Sequence, residues 1–96
     1  MSQPEIKVDS DGTKRWFLNG ERHREDGPAV EWSDGEKWWY LNGERHREDG
    51  PAIELPDGTK YWYLNRKEVT WKEVFRNANG DLEKECRILT YASTTS

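Results

Sequence analysis

The sequence predicts a mainly β fold, stacked antiparallel β-hairpin repeats closed by a short helical C-terminal cap, and three observations predict it. Leu18-Asn19-Gly20-Glu21-Arg22-His23-Arg24-Glu25-Asp26-Gly27-Pro28-Ala29 recurs letter for letter as residues 41–52, a period of 23 residues. Self-similarity at that spacing marks supersecondary units that bury a core only by stacking. Asp-Gly and Asn-Gly pairs punctuate each unit between short segments of alternating side chains, the mark of hairpins. A helix-capping sequence, Thr70-Trp71-Lys72-Glu73, follows the point where the repetition breaks down. One domain over residues 1–96 is expected, with a hairpin array over 6–69 and the cap over 70–92.

Residues 1–5 read as a loose leader. Ile6-Lys7-Val8 is then a short strand, a truncated copy of Val30-Glu31-Trp32 and Ile53-Glu54-Leu55, and each of the three leads into an Asp-Gly turn. Asp9 reads as an extra residue in the first copy. A bulge or longer loop is expected there, since a slip of one residue would invert the faces of the strand.

The second strands are Lys14-Arg15-Trp16-Phe17-Leu18, Lys37-Trp38-Trp39-Tyr40-Leu41 and Lys60-Tyr61-Trp62-Tyr63-Leu64. The strand period of two places Trp16, Trp39 and Trp62 on one face with Leu18, Leu41 and Leu64, the expected core. Phe17, Tyr40 and Tyr63 point the other way, with Arg15, Trp38 and Tyr61. This second aromatic face is either covered by Arg and Lys stems or the C-terminal segment, or it receives a partner or a flat ligand.

Asn19-Gly20 and Asn42-Gly43 suit type I′ turns, whose two central residues need positive φ. Asp-Gly-Pro then redirects the chain into the next unit. In the third unit Asn65-Arg66-Lys67-Glu68-Val69 replaces the pattern, so that copy is expected to be half a repeat, as at the end of a stacked array. A helix should begin at Trp71, present Trp71, Val74 and Phe75 on one side, and end near Asn79-Gly80. Leu82, Cys86 and Leu89 follow i, i+4, i+7 and favour a second helix to about Ala92, with a terminal strand as the alternative. The Ser-Thr-Thr-Ser end is expected to fray.

Charged residues make up 35% of the chain and mean hydropathy is −1.20, values of a disordered segment. Six Trp and four Tyr tip the balance back toward a folded domain, because each aromatic side chain buries roughly 150–250 Å². The net charge of −4 is spread through alternating acids and bases, without the clustered basic face that nucleic acid requires. A single Cys86 fits a reducing cytoplasm, and no stretch has the apolar length of a membrane span.

The period, the Gly-x-x-His spacing of Gly20-Glu21-Arg22-His23 and Gly43-Glu44-Arg45-His46, the Trp before each Gly and the Asp-Gly closing each unit resemble the MORN repeat, a β-hairpin module. The nearer resemblance is to MORN-like arrays of small phage and bacterial proteins, with a Trp-Tyr-x-Asn-Gly-x-x-His-Arg-x-Asp-Gly-Pro-Ala consensus and a short helical tail. It covers roughly residues 11–76. The resemblance implies a cytoplasmic, non-enzymatic module that attaches to a host or partner protein, concretely an inhibitor of a bacterial defence system. Where MORN units place Gly-x-Gly after the His, this chain has Arg-Glu-Asp-Gly-Pro, so membrane association does not carry over; the pI of about 5.2 points the same way.

His23 and His46 invite metal or acid–base readings. Two imidazoles one repeat apart lack a third ligand, and a tandem array repeats its residues for packing, so both are expected to order their turns. Arg24 with Asp26, and Arg47 with Asp49, read as ion pairs pinning the Asp-Gly-Pro turns. The other reading is an arginine row, Arg22, Arg24, Arg45 and Arg47, facing phosphates or a carboxylate-rich partner. Cys86 is expected to be a small core residue. The expected partner surface is therefore Phe17, Trp38, Tyr40, Tyr61 and Tyr63 with those four arginines, and no catalytic residue, metal or cofactor is assigned. A homodimer is a further way to cover the aromatic face. The alternatives are a small-ligand binder that stacks a nucleotide on the Tyr side and holds its phosphate with Arg45 or Arg47, and a structural assembly protein.

Overall fold

Alternation and turn chemistry dictate local hairpins, and a computed structural model of the chain, describing residues 4–92, joins them into a mainly antiparallel β fold with a helical C-terminal region. The strands are β1 (Glu5–Val8), β2 (Lys14–Leu18), β3 (Glu21–Arg22), β4 (Val30–Glu31), β5 (Lys37–Trp38), β6 (Tyr40–Leu41), β7 (Glu44–Arg45), β8 (Ile53–Glu54), β9 (Lys60–Leu64) and β10 (Lys67–Val69). Helices α1 (Trp71–Ala78) and α2 (Leu82–Ala92) follow. The main sheet runs β1-β2-β4-β5-β8-β9-β10 with β3 paired to β2, and β6 pairs with β7. The expected leader and frayed end fall largely on residues 1–3 and 93–96, outside the described residues, although Glu5 already belongs to β1.

The alternation of acids and bases along the chain becomes a row across the sheet. Lys14, Glu31, Lys37, Glu54 and Lys60 are successive cross-strand partners, so each base has an acid beside it. The Asn-Gly turns have the expected geometry, with φ of 52° and 81° at Asn19 and Gly20 and 50° and 81° at Asn42 and Gly43. The third turn departs from expectation: it also closes a hairpin, β9 to β10, with Arg66 at φ 71° in the glycine position.

Two sequence expectations fail by one register step. Asp9 N–H donates to Thr13 O at 2.9 Å, as Trp32 does to Glu36 and Leu55 to Thr59, so Asp9 stands where Trp32 and Leu55 stand and nothing is inserted. The loops match, and the side chains of β1 are out of phase instead. Lys7 takes the row of Val30 and lies over the Phe17 ring, while Ile6 and Val8 are left 57% and 61% exposed. On α2 the expected apolar stripe is likewise outside: Leu82 is 74% exposed, Leu89 47%, and Cys86 is exposed rather than a core residue. Ile88 is the buried residue of that helix.

The core is two-sided. Trp62, Val74, Ala78 and Ile88 form a buried cluster where α1 and α2 cover the last unit, with Leu64 and Tyr91 packed against it. Of the Trp column only Trp62 is buried; Trp16 and Trp39 are half-buried. Val30 and Ile53 are buried in the row Arg15, Val30, Trp38, Ile53, Tyr61, which lies on the tyrosine side of the sheet. The helical cap therefore sits on the Trp/Leu side, leaving the tyrosine side to other coverings. Thr70 Oγ1 accepts the Glu73 N–H at 3.3 Å and Asn79 ends α1 in the left-handed region, as the cap sequence requires. Among the described residues no helix is long and apolar enough to cross a membrane.

Candidate functional site

The duplicated residues make the same bonds twice. The Asn42 N–H donates to His23 Nδ1 at 2.9 Å and the Asn65 N–H donates to His46 Nδ1 at 2.9 Å, so each histidine holds the turn of the following unit. Gly43 N–H to Arg22 O and Arg66 N–H to Arg45 O complete the same joint. An Nδ1 that accepts keeps the ring proton on Nε2, which faces Glu25 at 3.3 Å and Glu48 at 3.0 Å in the two copies. With both rings buried, this is a structural staple between units.

Arg24 and Arg47 are the second shared device. Nε of each donates to the carboxylate two residues on, Asp26 or Asp49, at 3.0 Å. Nη1 reaches the Pro28 or Pro51 carbonyl and then Glu31 or Glu54 in the charged row. The guanidinium plane lies on Trp16 at 4.1 Å in one copy and on Trp39 at 3.9 Å in the other. A Cβ on Gly50 would come within 2.7 Å of Arg47 Cζ, and one on Gly27 within 2.9 Å of Arg24 Cζ. Those glycines make room for the arginine, a role that Asp-Gly-Pro, read from sequence only as a breaker, does not reveal.

The expected partner residues divide between two faces. On the tyrosine side Arg22 lies over Tyr40 at 5.5 Å and Arg45 over Tyr63 at 4.6 Å, while Tyr40 stacks on Trp38 at 6.4 Å. Phe17 carries Lys7, and Tyr61 is 39% exposed. The outcome is a ladder of rings topped by cations, repeating from unit to unit. Arg24 and Arg47 are on the other side, so the four arginines form no single row.

On the Trp/Leu side an open groove of about 1000 Å³ separates the first copy from α2. Its far wall was not foreseen. Lys84 Nζ bonds Glu48 at 2.7 Å, Arg87 bonds Asp49 at 2.9 Å, and the Tyr91 hydroxyl meets Arg47 Nη2 at 3.1 Å with its ring 4.8 Å from the guanidinium. Lys84, Arg87 and Tyr91 recur at i, i+3, i+7, a spacing legible in the sequence once the acidic pair is known to face it. The Lys84 bond, then the His46 bond, holds the Glu48 carboxyl below its ordinary value. Burial pushes Asp49 up, but the bonds from Arg47 and Arg87 outweigh it and leave that carboxyl lowered too. The partners respond in kind, with Lys84 and Arg87 raised by the bonds they make to Glu48 and Asp49.

No protein-family model, no curated protein and no solved structure matches this chain. Among the described residues no group of three or more His, Cys, Asp or Glu side chains is placed to hold a metal ion.

Proposed function

We propose that the chain is a non-enzymatic protein-binding module, a MORN-like hairpin array of phage or bacterial origin that attaches to a host protein and modulates it, as an inhibitor of a defence protein would. One observation carries the reading: the histidines and arginines of the duplicated stretch make the same bonds to the repeat residues around them in both copies. His23 and His46 hold turns, and Arg24 and Arg47 hold carboxylates, carbonyls and rings. Duplication of a joint serves stacking, whereas a reaction centre would single out one copy.

The surface offered to the partner is the cation-topped ladder of Phe17, Trp38, Tyr40, Tyr61 and Tyr63 with Arg22 and Arg45. Tyr, Trp and Arg are the residues that anchor protein interfaces, and here they recur at the spacing of the units. The test is capture from a bacterial lysate with identification by mass spectrometry, using the parent chain beside Arg22→Glu with Arg45→Glu. Loss of a specifically captured protein in a variant that melts like the parent supports the reading. Unchanged capture removes the ladder from consideration, and a small molecule retained in native mass spectrometry of the fresh protein would favour ligand binding instead.

A further inference from the structure

We propose that the groove over the first copy is a docking site for an amphipathic helix of another protein, one with basic residues at i and i+3, a branched aliphatic residue at i+4 and a Tyr at i+7. The chain already contains one complex of this kind, made with itself. Helix α2 rests on the second copy through Lys84 on Glu48, Arg87 on Asp49 and Tyr91 on Arg47, and its Ile88 is buried with Trp62 of the sheet and Val74 and Ala78 of α1, against which Leu64 packs.

A shift of one period toward the N-terminus turns this seat, Arg47, Glu48, Asp49, Trp62 and Leu64, into Arg24, Glu25, Asp26, Trp39 and Leu41. Residue types are the same at all five positions, and all five of the resulting residues line the groove. The internal bonding is the same as well: His to Glu, Arg to Asp, Arg to the prolyl carbonyl and Arg to the sheet glutamate recur. The floor and the covering differ: Trp39 carries the Arg47 guanidinium at 3.9 Å, whereas Trp62 packs with Val74 and Ala78 of α1. The Glu25 and Asp26 side chains are 82% and 86% exposed, against 43% and 25% for Glu48 and Asp49 under α2.

The spacing admits a second helix. β2 and β5 are two strands apart in the sheet, as are β5 and β9, so the two seats are offset by about 9.6 Å at the usual strand separation. Packed helices lie about 8–10 Å apart, so an incoming helix would run beside α2, whose Arg87 and Thr90 line the groove. The exposed acidic pair selects a basic helix. A second copy of this chain is the weaker occupant, because its α2 already makes these contacts at home and a swap would only exchange them. The inference rests on reading the chain as a binding module, but it uses the side of the sheet opposite the ladder, so the two can fail separately.

The probe is a synthetic peptide with the sequence of residues 81–92, labelled and stapled through positions 82 and 86. Both positions are exposed on α2, and the staple supplies helicity that so short a peptide lacks in water. The tethered α2 keeps the second seat by its high effective concentration, which leaves the groove to the peptide. The expected result is saturable 1:1 binding in fluorescence anisotropy, weakened roughly tenfold or more in the full chain carrying Glu25→Gln with Asp26→Asn. A peptide with Lys84→Glu and Arg87→Glu should lose binding to the unaltered protein, a readout independent of how the variant chain folds. Binding should persist in Arg22→Glu with Arg45→Glu. The proposal is overturned by absence of binding, by binding indifferent to Glu25 and Asp26, or by a dimer of the parent chain that Glu25→Gln with Asp26→Asn dissolves, which would make the occupant a second copy.

Discussion

Arg47→Ala is expected to destabilise the fold by about 2 kcal/mol more than Arg24→Ala, although each lies in the same twelve-residue stretch. The shared terms cancel: each guanidinium lies on a Trp ring, bonds a carboxylate at 3.0 Å and reaches a prolyl carbonyl at 3.1 or 3.2 Å. Arg47 alone adds the Tyr91 ring at 4.8 Å, about 0.5–1 kcal/mol at a partly exposed site. It also adds the bond to the Tyr91 hydroxyl, about 1 kcal/mol net. A remainder comes from Asp49, which water can resolvate less readily than Asp26. For a domain of this size the gap corresponds to roughly 8–16 °C in Tm. Urea unfolding of both variants, followed by Trp fluorescence, measures it. Agreement of the two within about 0.5 kcal/mol would show that the contacts of α2 on the second copy contribute nothing, and would refute the reasoning.

Three further outcomes are expected. Trp62→Ala should cost about 3–5 kcal/mol, the value for a buried aromatic, and Trp39→Ala clearly less, since only the last Trp lies beneath the helices; equal losses in urea would contradict the one-sided cover. Glu48 and Asp49 have lowered folded-state values, so their contribution is present above the ordinary carboxylate range and is lost as pH falls through and below about 4. An acid titration of Tm should therefore steepen there, and Lys84→Ala with Arg87→Ala should flatten it. Arg66→Gly should stabilise by about 1 kcal/mol, because a residue with a Cβ now holds φ 71° in an exposed turn; a lower urea midpoint would show that the Arg66 side chain contributes more than its backbone strain removes.

Features set by local chemistry were legible in the sequence. Asn-Gly specifies its turn, Thr70 specifies the start of α1, and a histidine that recurs in tandem is structural for the reason that it recurs. Features set by register were not. Asp9 reads as an insertion because Ile6 and Val8 look like Val30 and Trp32, yet backbone bonding aligns Asp9 with Trp32, and a strand at the sheet edge tolerates apolar side chains facing water. The period of Leu82, Cys86 and Leu89 correctly indicates a helix but misplaces its inner face. There the orientation follows from Lys84 and Arg87 meeting Glu48 and Asp49, a long-range choice that periodicity along one segment does not contain. The placement of the candidate residues was half legible: alternation separated the tyrosine side from the tryptophan side, but Arg24 and Arg47 come after the strand, where a period of two no longer applies.

The bond from each histidine to the next Asn gives the chain the grammar of a polymer with a terminator. Every copy ends in an acceptor and begins with the donor that an acceptor needs, so a further 23-residue copy placed after residue 52 would find both of its joints already matched. Growth ends where Val69 falls at the histidine position: it offers no lone pair, packs into the Trp62 cluster instead and hands the chain to Thr70 and α1. Each added copy would lengthen the wall of paired acids by one more Glu-Asp step.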